Sequence, residues 1–230
     1  MKKVLITGGN KGIGLACTHV FLENGFEVIV TARDGSFQKD VRGVTFIKLD
    51  LSKSELIPDF AAKVGPIDVL VNNAGVINSL PYDDYPQEKM RSLMAINLES
   101  PVALIREFAK PMIEQGSGRI VNVGSVAGYT GQPDVWYAIS KAGIMNATKS
   151  FAKLLGPKGI IVNAVAPGPV NTEMLDKVPG ERRKQILSTT VLQRPAEPWE
   201  VAKSIYWLAS ESPEYINGIT IDLNNGSYPR

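Results

Sequence analysis

The chain has 230 residues, of which 44% are hydrophobic and 21% charged, a balance typical of globular proteins. This composition excludes a disordered chain, collagen and a coiled coil. Its 25 basic and 23 acidic side chains leave a net charge of +2, which argues against dedicated nucleic-acid binding. A single cysteine, Cys17, cannot form an internal disulfide. A single histidine, His19, argues against a zinc site or a histidine-based triad, so we expect no metal.

The amino-terminal stretch and the apolar runs bear on where the protein acts. Residues 4–6 are the only apolar run near the start, and they are too few for the core of a signal peptide. No run approaches the roughly 18 apolar residues that span a membrane. The sequence therefore predicts a cytoplasmic protein without a membrane partner.

Short apolar runs rich in Val and Ile predict buried strands. They cover residues 4–6, 28–31, 44–49, 69–72, 120–123, 160–164 and 219–223. Helical periodicity predicts helices over residues 13–21, 97–115, 137–155 and 199–210, with a shortened helix within residues 52–64. Strands that alternate with helices predict an α/β fold of three layers around a doubly wound parallel sheet, as a single domain over residues 1–230.

The least regular stretch runs from residue 167 to residue 198 and contains five prolines. In α/β domains, irregular segments at the carboxyl ends of strands are where ligands bind. We therefore predict that residues 168–198 form a mobile lid over a substrate site.

A glycine-rich turn joins the first predicted strand to the first predicted helix. It reads Thr7-Gly8-Gly9-Asn10-Lys11-Gly12-Ile13-Gly14. Glycine lets the backbone turn tightly and lets phosphate oxygens approach, and the start of a helix offers N–H groups to a pyrophosphate. The turn therefore predicts a dinucleotide site. A glycine-rich turn without a ligand is the alternative interpretation, because the spacing is not the commoner Gly-x-Gly-x-x-Gly.

Further motifs follow the later strands in order. They are Asp50, Asn72-Asn73-Ala74-Gly75, Asn97, Ser125, Tyr137-x-x-x-Lys141, Pro167-Gly168 with Thr172, and the tail at residues 215–220. With these motifs, nearly the whole chain resembles a short-chain dehydrogenase/reductase, and the resemblance implies a Rossmann fold that binds NAD(P). Within that family the chain is most similar to 3-oxoacyl-acyl-carrier-protein reductases, a likeness carried largely by residues 192–202.

The candidate catalytic residues include two that share one face of a predicted helix. Tyr137 and Lys141 lie four residues apart. A neighbouring ammonium favours the phenolate, so Tyr137 can act as an acid in reduction and a base in oxidation near neutral pH. The resemblance implies that Lys141 also binds the nicotinamide ribose. It further implies that Ser125 holds the substrate oxygen and that Asn97 supports a water chain to Lys141.

The spacing alone could describe an ordinary pair on a helix surface. Tyr85 and Lys89 have the same spacing, but Pro86 biases Tyr85 away from a helix, and we set this pair aside. The loop between Ser125 and Tyr137 is about one residue shorter than the family pattern. This departure puts the shape of the adjacent substrate pocket in question.

The end of the second predicted strand indicates which nicotinamide cofactor binds. NAD enzymes usually place an acidic residue there, which binds the ribose 2′-hydroxyl. That position is Ala32, and Arg33 follows it, so Arg33 and Lys11 could bind the 2′-phosphate of NADP(H). Asp34 would repel that phosphate, which keeps NAD(H) as the alternative. We expect NADP(H).

The resemblance implies a full set of cofactor contacts at the carboxyl ends of the strands. These are Thr7, Gly8, Asn10, Lys11, Gly12, Ile13, Gly14, Arg33, Asp50, Leu51, Asn73, Ala74, Gly75, Tyr137, Lys141, Pro167, Gly168, Val170 and Thr172. In this set Asp50 would accept a hydrogen bond from the adenine amino group, and Thr172 would contact the nicotinamide carboxamide.

The sequence as a whole predicts an NADP(H)-dependent oxidoreductase that moves a hydride between the nicotinamide and a carbonyl or secondary alcohol carbon. The resemblance implies a small-molecule substrate, free or carried on acyl carrier protein, and a homotetramer or homodimer. Residues 181–184 are either a solvated helix face or a contact for that carrier. Tyr129, Trp136 and Met174 line a substrate pocket or belong to the core. A pterin, sugar, steroid or small ketone substrate, and a non-catalytic nucleotide-binding relative, are the alternatives.

Overall fold

Parallel strands form the centre of the protein, which a computed structural model describes for residues 1–34, 41 and 43–229. Within those residues the strands are β1 Lys3–Thr7, β2 Glu27–Ala32, β3 Val44–Lys48, β4 Val69–Asn72, β5 Gly118–Val123, β6 Ile160–Pro167 and β7 Thr220–Leu223. They form one sheet in the order β3-β2-β1-β4-β5-β6-β7, and each neighbouring pair is parallel. The predicted doubly wound sheet is confirmed, and every predicted strand overlaps an observed one.

The strand order reverses between β1 and β4. The chain builds β1, β2 and β3 toward one edge, then returns to place β4 on the other side of β1. The loops that leave β1 and β4 therefore diverge at the carboxyl ends of adjacent strands, which opens a crevice there. The glycine-rich turn follows β1 and the segment Asn73–Gly75 follows β4, so both border this crevice.

The inner strands of the sheet are buried on both faces because they consist largely of Val, Ile and Leu. In β1, Leu5 packs into one hydrophobic cluster, while its neighbours Val4 and Ile6 pack into another on the opposite face. All three side chains are fully buried. Successive side chains of a strand point to opposite faces, so an unbroken apolar run fills both layers of core.

Nine α-helices lie in the described part of the chain, and the longer ones pack on the two faces of the sheet. They are α1 Gly12–Glu23, α2 Ile57–Val64, α3 Gln87–Met94, α4 Ser100–Gln115, α5 Ala127–Thr130, α6 Val135–Leu155, α7 Glu173–Asp176, α8 Gly180–Ser188 and α9 Pro198–Tyr206. The helices α1 and α9 contribute to one hydrophobic cluster, and α2, α4 and α6 contribute to the other. Among the described residues, no helix combines the length and the apolar character that crossing a membrane requires.

The helices depart from the sequence prediction in three places. The predicted helix over residues 97–115 is preceded by α3, and a π-helical turn, Ala95–Glu99, joins α3 to α4. A second π-helical turn, Trp207–Glu211, follows α9. The irregular stretch from 167 to 198 contains α7 and α8. Sequence periodicity missed α8 because this charged helix buries none of its residues.

Candidate active site

The glycine-rich turn closes tightly onto the start of α1. A Cβ placed on Gly14 would lie 2.0 Å from the carbonyl oxygen of Gly8, so a side chain at this position would force the turn apart. Gly12 has a φ of +53°, in the left-handed region that favours glycine. The first N–H groups of a helix have no partner within it, and they carry the positive end of its dipole. The turn therefore fits a pyrophosphate at the N-terminus of α1.

The loops after β1 and β4 are joined by hydrogen bonds. The backbone N–H groups of Asn73 and Ala74 both donate to Thr7 Oγ1, each at 3.0 Å. The Asn73 side-chain amide donates to the carbonyl oxygens of Thr7 and Gly8, at 2.9 and 3.2 Å. Because Thr7 is only 1% exposed, its side chain supports the crevice rather than offering a free group to a ligand.

Asp50 and Arg33 lie at the ends of neighbouring strands on the side where an adenosine would bind. The backbone N–H and the hydroxyl of Ser52 donate to Asp50 Oδ1 at 3.0 and 2.8 Å. Burial alone would raise the pKa of Asp50, but these hydrogen bonds and the positive charges of Lys53 and Arg33 outweigh burial and lower that pKa. The structure thus brings two of the predicted cofactor contacts into electrostatic contact with each other.

The segment after β6 reaches across to the glycine-rich turn. A Cβ placed on Gly12 would lie 3.2 Å from Thr172 Cγ2, so Thr172 packs against the turn. Glu173 follows, and its carboxylate pairs with Lys11 Nζ at 2.8 Å. Lys11, predicted to bind a 2′-phosphate, is therefore engaged by a carboxylate here. Both side chains are exposed, and such pairs are weak in water.

The remaining predicted residues of this segment form its base. Pro167 is the last residue of β6, and Gly168 lies against Asn224 after β7. Val170 and Ala196 form an isolated parallel bridge, which pairs the two ends of the predicted lid. The helices α7 and α8 lie between these two paired residues in the chain.

Three of the predicted catalytic residues converge where β5 ends and α6 begins. Ser125 follows β5, and its hydroxyl lies close enough to the phenol of Tyr137, in the first turn of α6, to lower the pKa of that phenol. Lys141, one turn further along α6, places Nζ 5.8 Å from the centroid of the Tyr137 ring. A serine hydroxyl, a phenol and an amine therefore lie side by side at the crevice, in the arrangement that the sequence predicts.

The amine of Lys141 is buried and bound to the sheet. Its side chain is 5% exposed, and Nζ donates to the Val123 carbonyl oxygen at 2.7 Å. Burial lowers the pKa of Lys141 to about 8, because the charged form loses its hydration.

The phenol of Tyr137 differs from the sequence expectation. Burial raises the pKa of Tyr137, and the negative charge of Asp134 raises it further, against the opposing hydrogen bond from Ser125. The expected lowering by Lys141 is not seen, because the Lys141 amine, with a pKa of about 8, has already lost its charge at the pH where this phenol would ionise. In the protein alone, Tyr137 therefore keeps its proton at neutral pH and can donate it to an oxygen that gains negative charge.

Asn97 lies in the π-helical turn between α3 and α4 and is buried. Its Oδ1 accepts a hydrogen bond from the Val76 N–H at 2.9 Å, and its Nδ2 donates to the Val76 carbonyl oxygen at 2.9 Å. Nδ2 also lies 3.1 Å from Ser140 Oγ in α6. A Cβ placed on Gly75 would be 3.3 Å from Lys141 Nζ and 3.5 Å from Asn97 Oδ1, so Asn97 and Lys141 flank the loop after β4. A π-helical turn within a helix often marks a functional site.

The structure adds two residues that sequence reasoning missed. Asp134 is buried and caps α6 by accepting a hydrogen bond from the Tyr137 N–H at 3.2 Å. Tyr85, set aside because Pro86 biases it away from a helix, donates its hydroxyl to Asp134 Oδ1 at 3.1 Å. Asp134 could have been found from the sequence, because an acidic residue just before a predicted helix is a typical N-cap. The sequence carried no signal for its partner.

Other residues singled out from the sequence lie around the crevice or on the surface. None of Tyr129, Trp136 and Met174 belongs to the buried core, and Tyr129 stacks on Tyr228 with ring centroids 5.9 Å apart. The charged segment 181–184 forms part of the exposed helix α8. Within the residues that the structure describes, no group of three or more acidic, histidine or cysteine side chains could hold a metal ion.

Comparison with known proteins places these features in context. A family model described as enoyl-(acyl carrier protein) reductase matches residues 8–227. The chain is 37% identical to the 3-oxoacyl-[acyl-carrier-protein] reductase FabG of Thermotoga maritima, over 98% of this chain and 97% of that protein. It is 34% identical to the acetoacetyl-CoA reductase of Rhizobium meliloti, over 97% of each chain.

Solved structures of dehydrogenases are also similar to this chain. One similar structure is a 4-hydroxyisoleucine dehydrogenase complexed with NADH, with a TM-score of 0.91, 28% identity, and coverage of 99% of this chain and 98% of that one. Another is a putative NAD(P)-dependent gluconate 5-dehydrogenase from Beutenbergia cavernae with bound NADP, with a TM-score of 0.89, 27% identity, and coverage of 98% and 96%. Similar folds thus hold either nicotinamide cofactor.

Proposed function

Because the chain belongs to the short-chain dehydrogenase/reductase family, whose members are oxidoreductases acting on CH–OH and carbonyl groups, we propose that it reduces a small-molecule carbonyl group to a secondary alcohol with NADPH. The observation that carries this proposal is the convergence of Ser125, Tyr137 and Lys141 at the crevice beside the glycine-rich turn. The closeness of the Ser125 hydroxyl to the Tyr137 phenol, whose pKa it lowers, supports a shared oxygen site.

The chain's own residues hold the substrate and move one proton. The Ser125 hydroxyl donates a hydrogen bond to the substrate carbonyl oxygen as negative charge develops there. Tyr137 donates its phenolic proton to the same oxygen. When bound, the reduced nicotinamide supplies the hydride for the carbonyl carbon. The positive charge of a protonated Lys141 favours the phenolate that this proton transfer leaves on Tyr137. A proton from solvent then restores the phenol.

The choice of NADP(H) as cofactor rests on the charged side chains near the end of β2. Arg33 is exposed and lies close enough to Asp50 to lower its pKa. The cationic side chains of Arg33 and Lys11 favour a 2′-phosphate, and Ala32 offers no carboxylate for a 2′-hydroxyl. We therefore assign NADP(H), with NAD(H) as the competing cofactor.

The substrate half of the proposal rests on likeness to the two relatives. These relatives are named for the reduction of 3-oxoacyl groups carried on acyl carrier protein and of acetoacetyl-CoA. We propose a β-ketoacyl thioester as the substrate class, held under the segment 168–198, which would exclude water as it closes. The charged helix α8 in that segment would meet an acidic carrier protein. Assembly into a homodimer or homotetramer is part of the same proposal.

Two measurements test the proposed function. In a fluorescence titration, NADPH should bind more tightly than NADH, and the reverse order would contradict the cofactor assignment. With NADPH deuterated at the transferred position, a β-ketoacyl thioester should give an alcohol that carries deuterium on the carbinol carbon. Diketones, pterins and sugars serve as comparison substrates, and the matched acyl thioester without the ketone serves as the control. Absence of turnover on every carbonyl compound would contradict the proposal.

A further inference from the structure

Asp134 is a buried carboxylate beside the candidate active site. It is 3% exposed, and it lies three residues before Tyr137. One oxygen, Oδ1, accepts hydrogen bonds from the Tyr137 N–H at 3.2 Å and from the Tyr85 hydroxyl at 3.1 Å. The other, Oδ2, accepts from the backbone N–H groups of Asn78 and Ser79 at 2.9 and 2.8 Å. One side chain therefore accepts four hydrogen bonds from three separate parts of the chain.

These hydrogen bonds fix the loop that leaves β4. Ser79 has a φ of +56°, a left-handed conformation that a serine adopts only when its surroundings hold it there. The two donors to Oδ2 are the N–H of this residue and the N–H of the residue before it. The side-chain amide of Asn78 also donates to the Tyr85 hydroxyl at 2.9 Å, which closes the network.

The same loop is held a second time, nearer to β4, by Asn97. Asn97 makes two hydrogen bonds with the backbone of Val76 and contacts Ser140 in α6. The loop after β4 is thus joined to α6 on both sides of Tyr137, by Asp134 before it and by Ser140 after it. Displacement of either contact would move the first turn of α6 relative to the loop.

We propose that Asp134 is a positioning residue for the reaction proposed above, holding the phenol of Tyr137 at a fixed place between Ser125 and the loop after β4. This inference rests on the proposed function. The anchor also explains how a loop shorter than the family pattern still brings Ser125 and Tyr137 together. The carboxylate caps the helix and takes up the loop donors that would otherwise lie unpaired.

The charge of Asp134 has a second consequence. The titratable groups that face it are the phenols of Tyr85 and Tyr137, and Lys141 lies beyond the Tyr137 ring. The helix α3 packs against α6, and its charged side chains Glu88, Lys89 and Arg91 are exposed to solvent. A buried negative charge beside Tyr137 therefore favours the protonated phenol, the form that donates in carbonyl reduction.

The test measures the ionisation of Tyr137 without turnover. The protein is labelled with tyrosine carrying ¹³C at the ζ carbon, the Tyr137 resonance is assigned with Tyr137→Phe, and its pKa is measured by NMR titration. Asp134→Asn removes the charge and retains one acceptor, so the pKa of Tyr137 should fall. Asp84→Asn is the matched control, because Asp84 is an exposed carboxylate of the same loop, and it should leave that pKa unchanged.

Turnover then separates this inference from the proposed function. Asp134→Asn should lower kcat by about ten- to a hundredfold with little change in the Kd of NADPH, because misplacement of the phenol affects the chemical step. A folded Asp134→Asn protein with an unchanged Tyr137 pKa and unchanged kcat would overturn the inference while leaving the proposed function intact. If Asp134→Asn lowers the pKa of Tyr137 but the wild-type protein turns over no carbonyl compound, the proposed function would be overturned instead.

Tyr85→Phe keeps the test decisive if Asp134→Asn does not fold. It removes one hydrogen bond to the carboxylate and leaves the charge in place. We expect kcat to fall several-fold by the same factor at every pH, because the charge beside Tyr137 is retained. Wild-type kcat in Tyr85→Phe would then overturn the positioning role.

Discussion

Lys141 offers the sharpest test of the electrostatics of the site, through the pH dependence of stability. Its pKa is lowered from 10.5 to about 8 in the folded protein, because burial disfavours the charged amine. The unfolded chain therefore holds this proton more tightly than the folded chain, and stability rises as pH increases between those two values. Because of this proton linkage, the free energy of unfolding should increase by about 2 kcal/mol from pH 7 to pH 9.5.

The substitution Lys141→Met removes this gain while preserving a long side chain. At pH 7 it relieves the burial of a charge, which costs about 3 kcal/mol, but it leaves the Val123 carbonyl oxygen without its partner, which costs about 1–3 kcal/mol. The two effects have opposite signs, so they largely offset each other in the free energy of unfolding at pH 7. The lost carbonyl partner does not titrate, so the change with pH isolates the amine. Turnover should be abolished in the same variant.

The assay is urea unfolding followed by tryptophan fluorescence at pH 7 and pH 9.5, at one protein concentration. Relative to Lys141→Met, the wild-type protein should become more stable by about 2 kcal/mol at the higher pH. Lys149→Met on the exposed side of α6 is the control, and it should follow the wild-type pH dependence. Parallel pH dependences for wild type and Lys141→Met would refute the argument that burial destabilises this charge.

Two further substitutions address the cofactor. Arg33→Asp should shift the preference toward NADH in paired titrations, because it places a carboxylate where a 2′-phosphate would bind; an unchanged ratio would mean that Arg33 does not contact the phosphate. Glu173→Gln releases Lys11 from its ion pair and should tighten NADPH binding several-fold with a smaller effect on NADH. Equal changes for the two cofactors would show that Lys11 does not distinguish them.

The fold could be predicted because the strands are encoded locally. The run Val4-Leu5-Ile6 is apolar without alternation, and it is buried on both faces of the sheet, as such runs require. The helices were harder to predict where packing rather than periodicity determines them. The helix α3 buries only Leu93, and α8 buries nothing, so neither shows the apolar stripe on which sequence reasoning depends.

The residues of the candidate site could be proposed from the sequence, whereas the directions of their pKa shifts could not. The order of the motifs along the chain singles out Tyr137 and Lys141, because Ser125 and Asn97 precede them, whereas their spacing also occurs at Tyr85 and Lys89. The pKa of Tyr137 depends on its burial, and the pKa of Lys141 is lowered by burial of its amine, which donates to the Val123 carbonyl oxygen 18 residues away in the sequence. The pKa of Tyr137 also depends on the buried Asp134. Long-range contacts of this kind follow from tertiary packing, so no local pattern reveals them.

The account depends most directly on proton donation by Tyr137. The decisive measurement compares kcat/KM for carbonyl reduction in Tyr137→Phe and in Tyr82→Phe, where Tyr82 is an exposed tyrosine that is 78% accessible to solvent. The account predicts that Tyr137→Phe lowers kcat/KM by about 10²–10⁴-fold while the Kd of NADPH stays near the wild-type value, and that Tyr82→Phe changes neither. Turnover near the wild-type rate in Tyr137→Phe would contradict it.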